Sequence, residues 1–575
     1  LTIRSLRTFL LSLLVNIFQY LIRKLRNVFS KLKKYQICWI ISVIPIVIAV
    51  GSMIVNHSSV QENPVVITKV GVIRGLKATD GDYAMFMGIP FARVNESNPF
   101  GHAIPYPPFE KVFDAHDDTA ICPQLVEHNN TIAGTLDCLH VNIHVPNTAS
   151  ASNRLPILVF LHGGRYEVGF SGRFTYGPKF LVKQNIIVVT LNYRLGPYGF
   201  QCLDTPEVPG NQGLKDQVIA LKWIKDNIEA FGGDSDQITI AGSSSGGQNV
   251  DFHVMYSQGG VFNKAIIGAG AALDQVTMAS SDISVPLKLA NDLGLQTNDV
   301  NEALDFLSKQ DPISVINSSS RLNITYKPCV EQQFDGVESF ITEFPKNELT
   351  NIKNIPVMIG QSTLELLHVF ANANLDTLQY KHIFEQQLVK YFDFDKDKLE
   401  NMVDYVRQFY IGDEKVSEQV KPQIIDFCSD LFQNYPIKKK IEHYLSNGAK
   451  EIYYSMFAYS GRRNFLKVFY NVDLDVAGAA HADVIGYLFD ISYIQEPTTV
   501  NDQLIVDRMT ALWANFVKYG NPTPDTTDLL PIKWEPLTNE SFPYLNIDLE
   551  LSMMNAPFRE RMMFWDSFFE VNDMI

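Results

Sequence analysis

Ile238-Thr-Ile-Ala-Gly-Ser-Ser-Ser-Gly-Gly247 is a short apolar run that stops at a glycine, passes through three serines and ends on two more glycines. An apolar run bounded in this way reads as a buried strand. The Gly242-x-Ser244-x-Gly246 that closes it lies where that strand would turn into a helix. In such a turn the serine is forced into a strained conformation that only small neighbours tolerate, which lifts its Oγ above the sheet edge and aims the helix N-terminus at it. In a serine-rich stretch the same five residues alone are more often an ordinary turn. The reading therefore depends on what surrounds them.

Working outward, Pro156-Ile-Leu-Val-Phe-Leu161 and Ile186-Ile-Val-Val-Thr-Leu191 are continuous apolar runs like that of Gln237–Ala241, as expected of strands buried on both faces. Between the last two, Leu214, Val218, Leu221, Trp223, Ile224 and Ile228 recur at helical spacing within Gly213–Phe231 and supply a crossover. Pro356–Ile359 and Ile452–Met456 read as further strands, and residues 396–420 and 521–531 as surface loops and helices. Strands alternating with helices predict an α/β domain with a central, mostly parallel sheet flanked by helices.

Around the serine, Asn192-Tyr-Arg-Leu-Gly-Pro-Tyr-Gly-Phe200, Gly210-Asn-Gln-Gly-Leu-Lys-Asp-Gln217, Trp223 and Phe231-Gly-Gly-Asp234 resemble the type B carboxylesterase and cholinesterase family of α/β-hydrolases. The resemblance runs from about Asn63 to Phe569, through Met87-Gly-Ile-Pro-Phe-Ala92 and Trp513-Ala-Asn-Phe-Val-Lys-Tyr-Gly-Asn-Pro522. It implies a triad of Ser244 as nucleophile, Glu365 as acid in Met358-Ile-Gly-Gln-Ser-Thr-Leu-Glu365, and His481 as general base in Gly478-Ala-Ala-His481. The order Ser, Glu, His is that of α/β-hydrolases. It also implies an oxyanion hole built from the backbone N–H groups of Gly164, Arg165 and Ser245. The reaction implied is hydrolysis of a small-molecule ester through an acyl-enzyme. Neither a cofactor nor a metal is implied, and no clustered Cys/His spacing suggests one.

Three departures from the family stand out. The oxyanion loop reads His162-Gly-Gly-Arg-Tyr-Glu-Val-Gly169, with Arg165 in place of a third glycine; a glycine-only conformation there would cost roughly 1–2 kcal/mol. Ser243 and Val484 stand where the family usually has two buried acids, a joint loss expected when a buried carboxyl network is removed whole. No tryptophan occurs between Trp39 and Trp223, so the loop implied to close between Cys122 and Cys138 lacks the choline-binding ring of cholinesterases. A neutral or acyl-chain ester is the substrate expected. The Cys122–Cys138 bridge would contribute roughly 3 kcal/mol. Five cysteines follow residue 55, an odd number, and the states of Cys202, Cys329 and Cys428 are left open.

Charge is uneven along the 575 residues. Leu1–Gln61 holds eight of the 48 basic residues and none of the 63 acidic ones, so the rest is strongly acidic, which argues against nucleic acid as a partner. Ile37–Val55 is a run of nineteen mostly apolar residues, enough to span a bilayer as a helix. Residues 1–36 are then a basic cytoplasmic segment, in which Phe9–Ile22 reads as an amphipathic helix. Residues 37–55 are a transmembrane signal-anchor, and residues 63–575 an extracellular or lumenal domain of type II topology. Cleavage near Ala49-Val50-Gly51 and secretion is the alternative. Export also fits the N-x-[ST] sequons at Asn56, Asn95, Asn129, Asn317, Asn323 and Asn539.

Two functions from different classes follow. The first is a membrane-anchored or secreted carboxylic ester hydrolase. The second is a catalytically weak adhesion protein resembling neurotactin and neuroligin, which share departures in the oxyanion loop, and that reading expects an extracellular protein partner or a homodimer. Retention of all three triad residues in three separate motifs favours the hydrolase.

Overall fold

The computed structural model describes residues 63–572, except 128, 257–259, 274–276, 349–351, 475 and 496–497. The basic segment and the apolar run Ile37–Val55 lie outside the described residues, as does Asn56. Among the described residues, no helix is long and apolar enough to cross a membrane.

Eleven strands of the described residues form one sheet: β1 (Leu76–Lys77), β2 (Tyr83–Pro90), β3 (His140–Pro146), β4 (Leu155–Leu161), β5 (Ile187–Leu191), β6 (Gly233–Ser243), β7 (Lys264–Gly268), β8 (Val357–Ser362), β9 (Ile452–Phe457), β10 (Pro543–Ile547) and β11 (Ser552–Asn555). Their spatial order is β11-β10-β9-β8-β7-β6-β4-β5-β3-β2-β1. From β5 across β4 to β10 every pairing is parallel, and both edges are antiparallel. The five strands expected from the sequence all lie in the parallel block. Seven helices matter below: α1 (Gln212–Asn227), α2 (Ser245–Tyr256), α3 (Lys396–Ile411), α4 (Lys421–Ser429), α5 (Tyr435–Ser446), α6 (Val500–Tyr519) and α7 (Arg559–Val571).

Alternation along each strand builds two cores. Ile157, Val159 and Leu161 of β4 face one side, with Leu214, Leu221 and Ile224 of α1 and Val250 of α2. Leu158 and Phe160 face the other, with Ile505, Met509, Leu512 and Trp513 of α6. Period-two side chains buried on both faces are what a helix-covered parallel sheet requires. A third core unites α3, α4 and α7 around Trp565 and Phe427. α6 begins at a capping box, Thr499 Oγ1 accepting from the Asp502 N–H at 3.0 Å and Asp502 from that of Thr499 at 3.1 Å.

The family-like motifs have physical jobs in this frame. Arg194 and Asp216, both fully buried, form a two-pronged pair at 2.8 and 2.7 Å, and the guanidinium also donates to the Pro99 and Gly101 carbonyls. A buried charge needs every donor matched, and here the pair ties the β5–α1 connection to the chain before β3. Disulfides join Cys122 to Cys138 and Cys202 to Cys329, leaving Cys428, among the described residues, as a buried thiol. Asn129, Asn317, Asn323 and Asn539 are exposed and Asn95 is half-buried.

Candidate active site

The serine turn is built as its sequence predicts. β6 ends at Ser243, α2 starts at Ser245, and Ser244 between them has φ +61°. That left-handed conformation costs a non-glycine residue about 1 kcal/mol or more. Two backbone bonds hold it: the Ser244 N–H donates to Gly268 of β7 at 2.8 Å, and its carbonyl accepts from the Gln248 N–H at 3.0 Å. The flanking glycines are obligatory, because a Cβ on Gly242 would lie 2.2 Å from the Gly246 carbonyl oxygen and one on Gly246 would lie 2.2 Å from that of Leu161. Ser244 itself is half-buried and open to solvent.

Glu365 lies three residues past the end of β8 and is fully buried. Its Oε1 accepts from the Ser362 N–H at 2.5 Å, and its Oε2 faces Nδ1 of His481 at 2.5 Å. The His481 N–H also donates to the Glu365 carbonyl at 3.1 Å. With Nδ1 held by a carboxylate, the proton is fixed there and Nε2 becomes the basic nitrogen. The turn carrying His481 is pinned by Asp483, which accepts from the N–H groups of Ala480, Leu466 and Lys467 at 2.6, 2.9 and 3.0 Å and from the Asn464 amide at 2.8 Å. Burial nevertheless raises the Asp483 carboxyl to about 6.

His368 joins this group without having been singled out in the sequence. Its Nδ1–H donates to the Glu365 carbonyl at 3.1 Å and its ring stacks on that of His481, centroids 5.8 Å apart and 22° from parallel. Burial first, and then the neighbouring His481, push its pKa down to about 3, so it stays neutral beside the imidazole of His481. The available signal was its spacing of three from Glu365, which is too common to find it.

The oxyanion loop follows β4, whose Leu161 pairs with Gly242 of β6, so loop and serine turn leave adjacent strand ends. A Cβ on Gly163 would sit 2.5 Å from the Ser243 carbonyl oxygen and 3.0 Å from Ser244 Cβ. Gly164 turns at φ +123° and its carbonyl accepts from the Glu167 and Val168 N–H groups, both at 3.0 Å. Arg165 and Tyr166 follow at φ +56° and +65°. Position 165 is thus in the left-handed region that L-residues reach at modest cost, and a glycine is not required there. The arginine side chain, 61% exposed, meets Glu127 at 2.6 Å, inside the loop closed by Cys122 and Cys138, and its charge is also felt at Tyr470 and at His368, the ring stacked on His481. Among the described residues the N–H groups of Gly164, Arg165 and Ser245 donate to no protein acceptor.

Beneath the serine turn, Ser243 and Val484 line one cavity of about 40 Å³, walled by Met358, Phe457, Met509 and Trp513. The two positions where acids were expected are neighbours across one apolar space. Its lining holds Gln361, Ser362 and Ser455 but no charged side chain, so a single carboxylate left there would have been buried without a cationic partner. Among the described residues no cluster of three His, Cys, Asp or Glu could hold a metal ion.

Sequence comparison agrees with this geometry. The profile of the Carboxylesterase family matches residues 62–565. Juvenile hormone esterase of Heliothis virescens is 29% identical over 536 residues, 87% of this chain and 93% of that protein. Human bile salt-activated lipase is 28% identical over 83% of this chain and 65% of its own length. A crystal structure of juvenile hormone esterase from Manduca sexta, with OTFP covalently attached, superposes with a TM-score of 0.76 at 26% identity and covers 88% of this chain and 100% of that one. With an α/β-hydrolase sheet, a serine at its strand-to-helix turn and esterases among its relatives, the chain belongs to the carboxylesterase family.

Proposed function

We propose that this protein hydrolyses carboxylic esters with Ser244 as nucleophile, His481 as general base and Glu365 as the acid that orients it. The observation carrying the reading is the contact of His481 Nδ1 with a fully buried Glu365 carboxylate, in a domain whose serine turn stands at φ +61°. His481 Nε2 takes the Ser244 proton as Oγ attacks the ester carbonyl and returns it to the leaving alcohol. Glu365, already held by the Ser362 N–H, stabilises the imidazolium that forms. Negative charge developing on the carbonyl oxygen is met by the free N–H groups of Gly164, Arg165 and Ser245, and water then clears the acyl-enzyme. The covalent adduct of the Manduca sexta relative is of the kind a nucleophilic site forms.

The substrate is a neutral or acyl-chain ester. The Cys122–Cys138 loop offers a cation no tryptophan, and the side chains it brings to the oxyanion loop are Gln124, bonded to the Gly169 backbone, and Glu127, paired with Arg165. The basic stretch before Ile37–Val55 supports a type II anchor, with the domain on the extracellular side and its five accessible sequons glycosylated. The test is turnover of a short-chain aryl ester by the purified protein. Ser244→Ala lowers kcat by about 10⁵–10⁶-fold. A folded wild type no faster than Ser244→Ala on several acyl lengths overturns the reading and directs attention to extracellular binding partners.

A further inference from the structure

The peptide unit that follows Glu365 is held from both sides. Its carbonyl accepts from the His481 N–H and from His368 Nδ1–H, both at 3.1 Å. Its N–H, that of Leu366, donates to Ser429 Oγ at 3.1 Å. At the other end of the same short segment, Gln361 Nε2–H donates to Asn434 Oδ1 at 2.8 Å. Ser429 and Asn434 thus grip the two ends of Gln361–Leu366, within which the Ser362 N–H fixes Glu365 Oε1. Both side chains are buried, where water does not compete for either bond.

Ser429 closes α4 and Asn434 precedes α5. An α-helix advances about 100° per residue, so it would set these two positions roughly 140° apart on its surface and let only one of them face β8. Between them the chain instead makes one π-helical turn, Asp430–Asn434, closed by the Tyr435 N–H on the Asp430 carbonyl, and a π-turn stacks positions of this spacing on one face. The turn is anchored from behind. Asp430, fully buried, accepts from Tyr410 O–H of α3 and from Asn434 Nδ2–H, each at 2.7 Å, and has Arg561 of α7 at 3.0 Å. Tyr410 Oη accepts in turn from Trp565 Nε1–H of α7 at 2.8 Å. A carboxylate accepts and cannot donate, so Asn434 must turn its NH₂ to Asp430 and its oxygen to Gln361.

We infer that this π-turn is a brace for Glu365, and that Ser429 is a positioning residue that acts on the reaction through the acid it holds without touching the substrate. An uninterrupted α-helix through the same residues would release one of the two grips, which gives this rare helical form a reason to be here. Without Ser429 Oγ the Leu366 N–H is left unpaired, and the turn carrying Glu365 shifts to satisfy it. A displacement of about 1 Å in such a support costs up to about a hundredfold in rate. The effect on turnover rests on the hydrolase reading; the effect on the Glu365–His481 contact does not.

The experiment is proton NMR and steady-state kinetics of the full chain carrying Ser429→Ala or Ser429→Thr. The proton between His481 Nδ1 and Glu365 gives a downfield resonance, identified by its absence in Glu365→Ala. Ser429→Ala moves it upfield or broadens it, and Ser429→Thr, which keeps the acceptor, leaves it in place. On the aryl ester, Ser429→Ala lowers kcat about ten- to a hundredfold with KM within about twofold, and adds nothing in a Glu365→Ala background. An unchanged resonance in folded Ser429→Ala, or an equal loss of turnover with and without Glu365, overturns the brace. If Ser429→Ala does not fold, Ser429→Cys, of similar shape with a weaker acceptor, is judged by the same resonance. A wild type no faster than Ser244→Ala overturns the hydrolase reading instead, and the resonance still decides the brace.

Discussion

The serine turn and the oxyanion loop leave the sheet at adjacent strand ends, and each holds a non-glycine residue at nearly the same φ: Ser244 at +61° and Arg165 at +56°. Around Ser244 the space that a side chain on either flanking glycine would need is filled by backbone oxygens, at 2.2 Å on both sides. Around Arg165 the side chain has an open route to solvent and an acidic partner at its end. The serine turn is therefore restricted at both glycines that flank it, while the oxyanion loop is restricted at Gly163 and Gly164, where a Cβ would meet backbone oxygens at 2.5 and 2.1 Å, and open only at position 165. What differs is where a Cβ can go, since the torsional cost is shared.

The largest break in this comparison comes from the part of the oxyanion loop that is as crowded as the serine turn. In Gly163→Ala the new methyl would meet the Ser243 carbonyl oxygen and Ser244 Cβ, so loop and serine turn must move apart. Loss of aligned oxyanion donors costs about 10²–10³-fold in kcat, with KM little changed and the fold retained. A kcat within threefold of wild type, measured on the same aryl ester, would mean the loop has slack and the distinction between crowded and open positions fails.

How much of this was legible follows from the same contrast. The parallel strands were readable because residues buried on both faces leave an unbroken apolar run, as in Leu155–Leu161 and Ile187–Leu191. β3 was not, since Asn142 and His144 interrupt its run while buried; Asn142 accepts from the Gly88 N–H at 2.8 Å, a need invisible without β2 beside it. β6 begins at Gly233, four residues before its apolar run, because Asp234–Gln237 continue the strand with polar side chains. Ser244, Glu365 and His481, the proposed triad, stand in local motifs that a short turn or strand end imposes. Glu127, His368 and the Cys202–Cys329 bridge depend on segments that meet only after folding, and no local pattern encodes such meetings.

A smaller effect sharpens the comparison through pH. The oxyanion loop begins at His162, buried against Tyr193 with Nε2 unpartnered among the described residues, and burial lowers its pKa to about 4. The serine turn Gly242–Gly246 contains no titrating side chain. A histidine with a folded pKa below its unfolded value of about 6.5 contributes stability that is present above that value and lost as pH falls toward 4, about 1.4 kcal/mol per pH unit. Asp483, raised to about 6, runs the other way: its contribution is present below about 4 and is lost as pH rises through 6, which offsets part of the trend in the His481 turn. Protection factors from amide exchange at pH 7 and 4.5, each corrected for the intrinsic exchange rate at that pH, should therefore fall more at residues 163–168 than at 243–248. An equal fall in both segments would show that the two strand ends open as one unit.

The smallest expected effect is the most discriminating, since it falls on the residue that departs from the family. Arg165→Gly relieves left-handed strain worth about 1 kcal/mol but gives the unfolded chain back a comparable entropy, and it removes a solvent-exposed ion pair with Glu127 worth at most about 1 kcal/mol. Stability should change little. Turnover should stay within about threefold, because the donor proposed at position 165 is the backbone N–H and glycine keeps it. A rise above tenfold would mean that the guanidinium obstructs the site, and a comparable fall would mean that it touches the substrate. In either case Arg165 would be acting through its side chain, and the loop's tolerance at this position would reflect selection for that cation instead of open space.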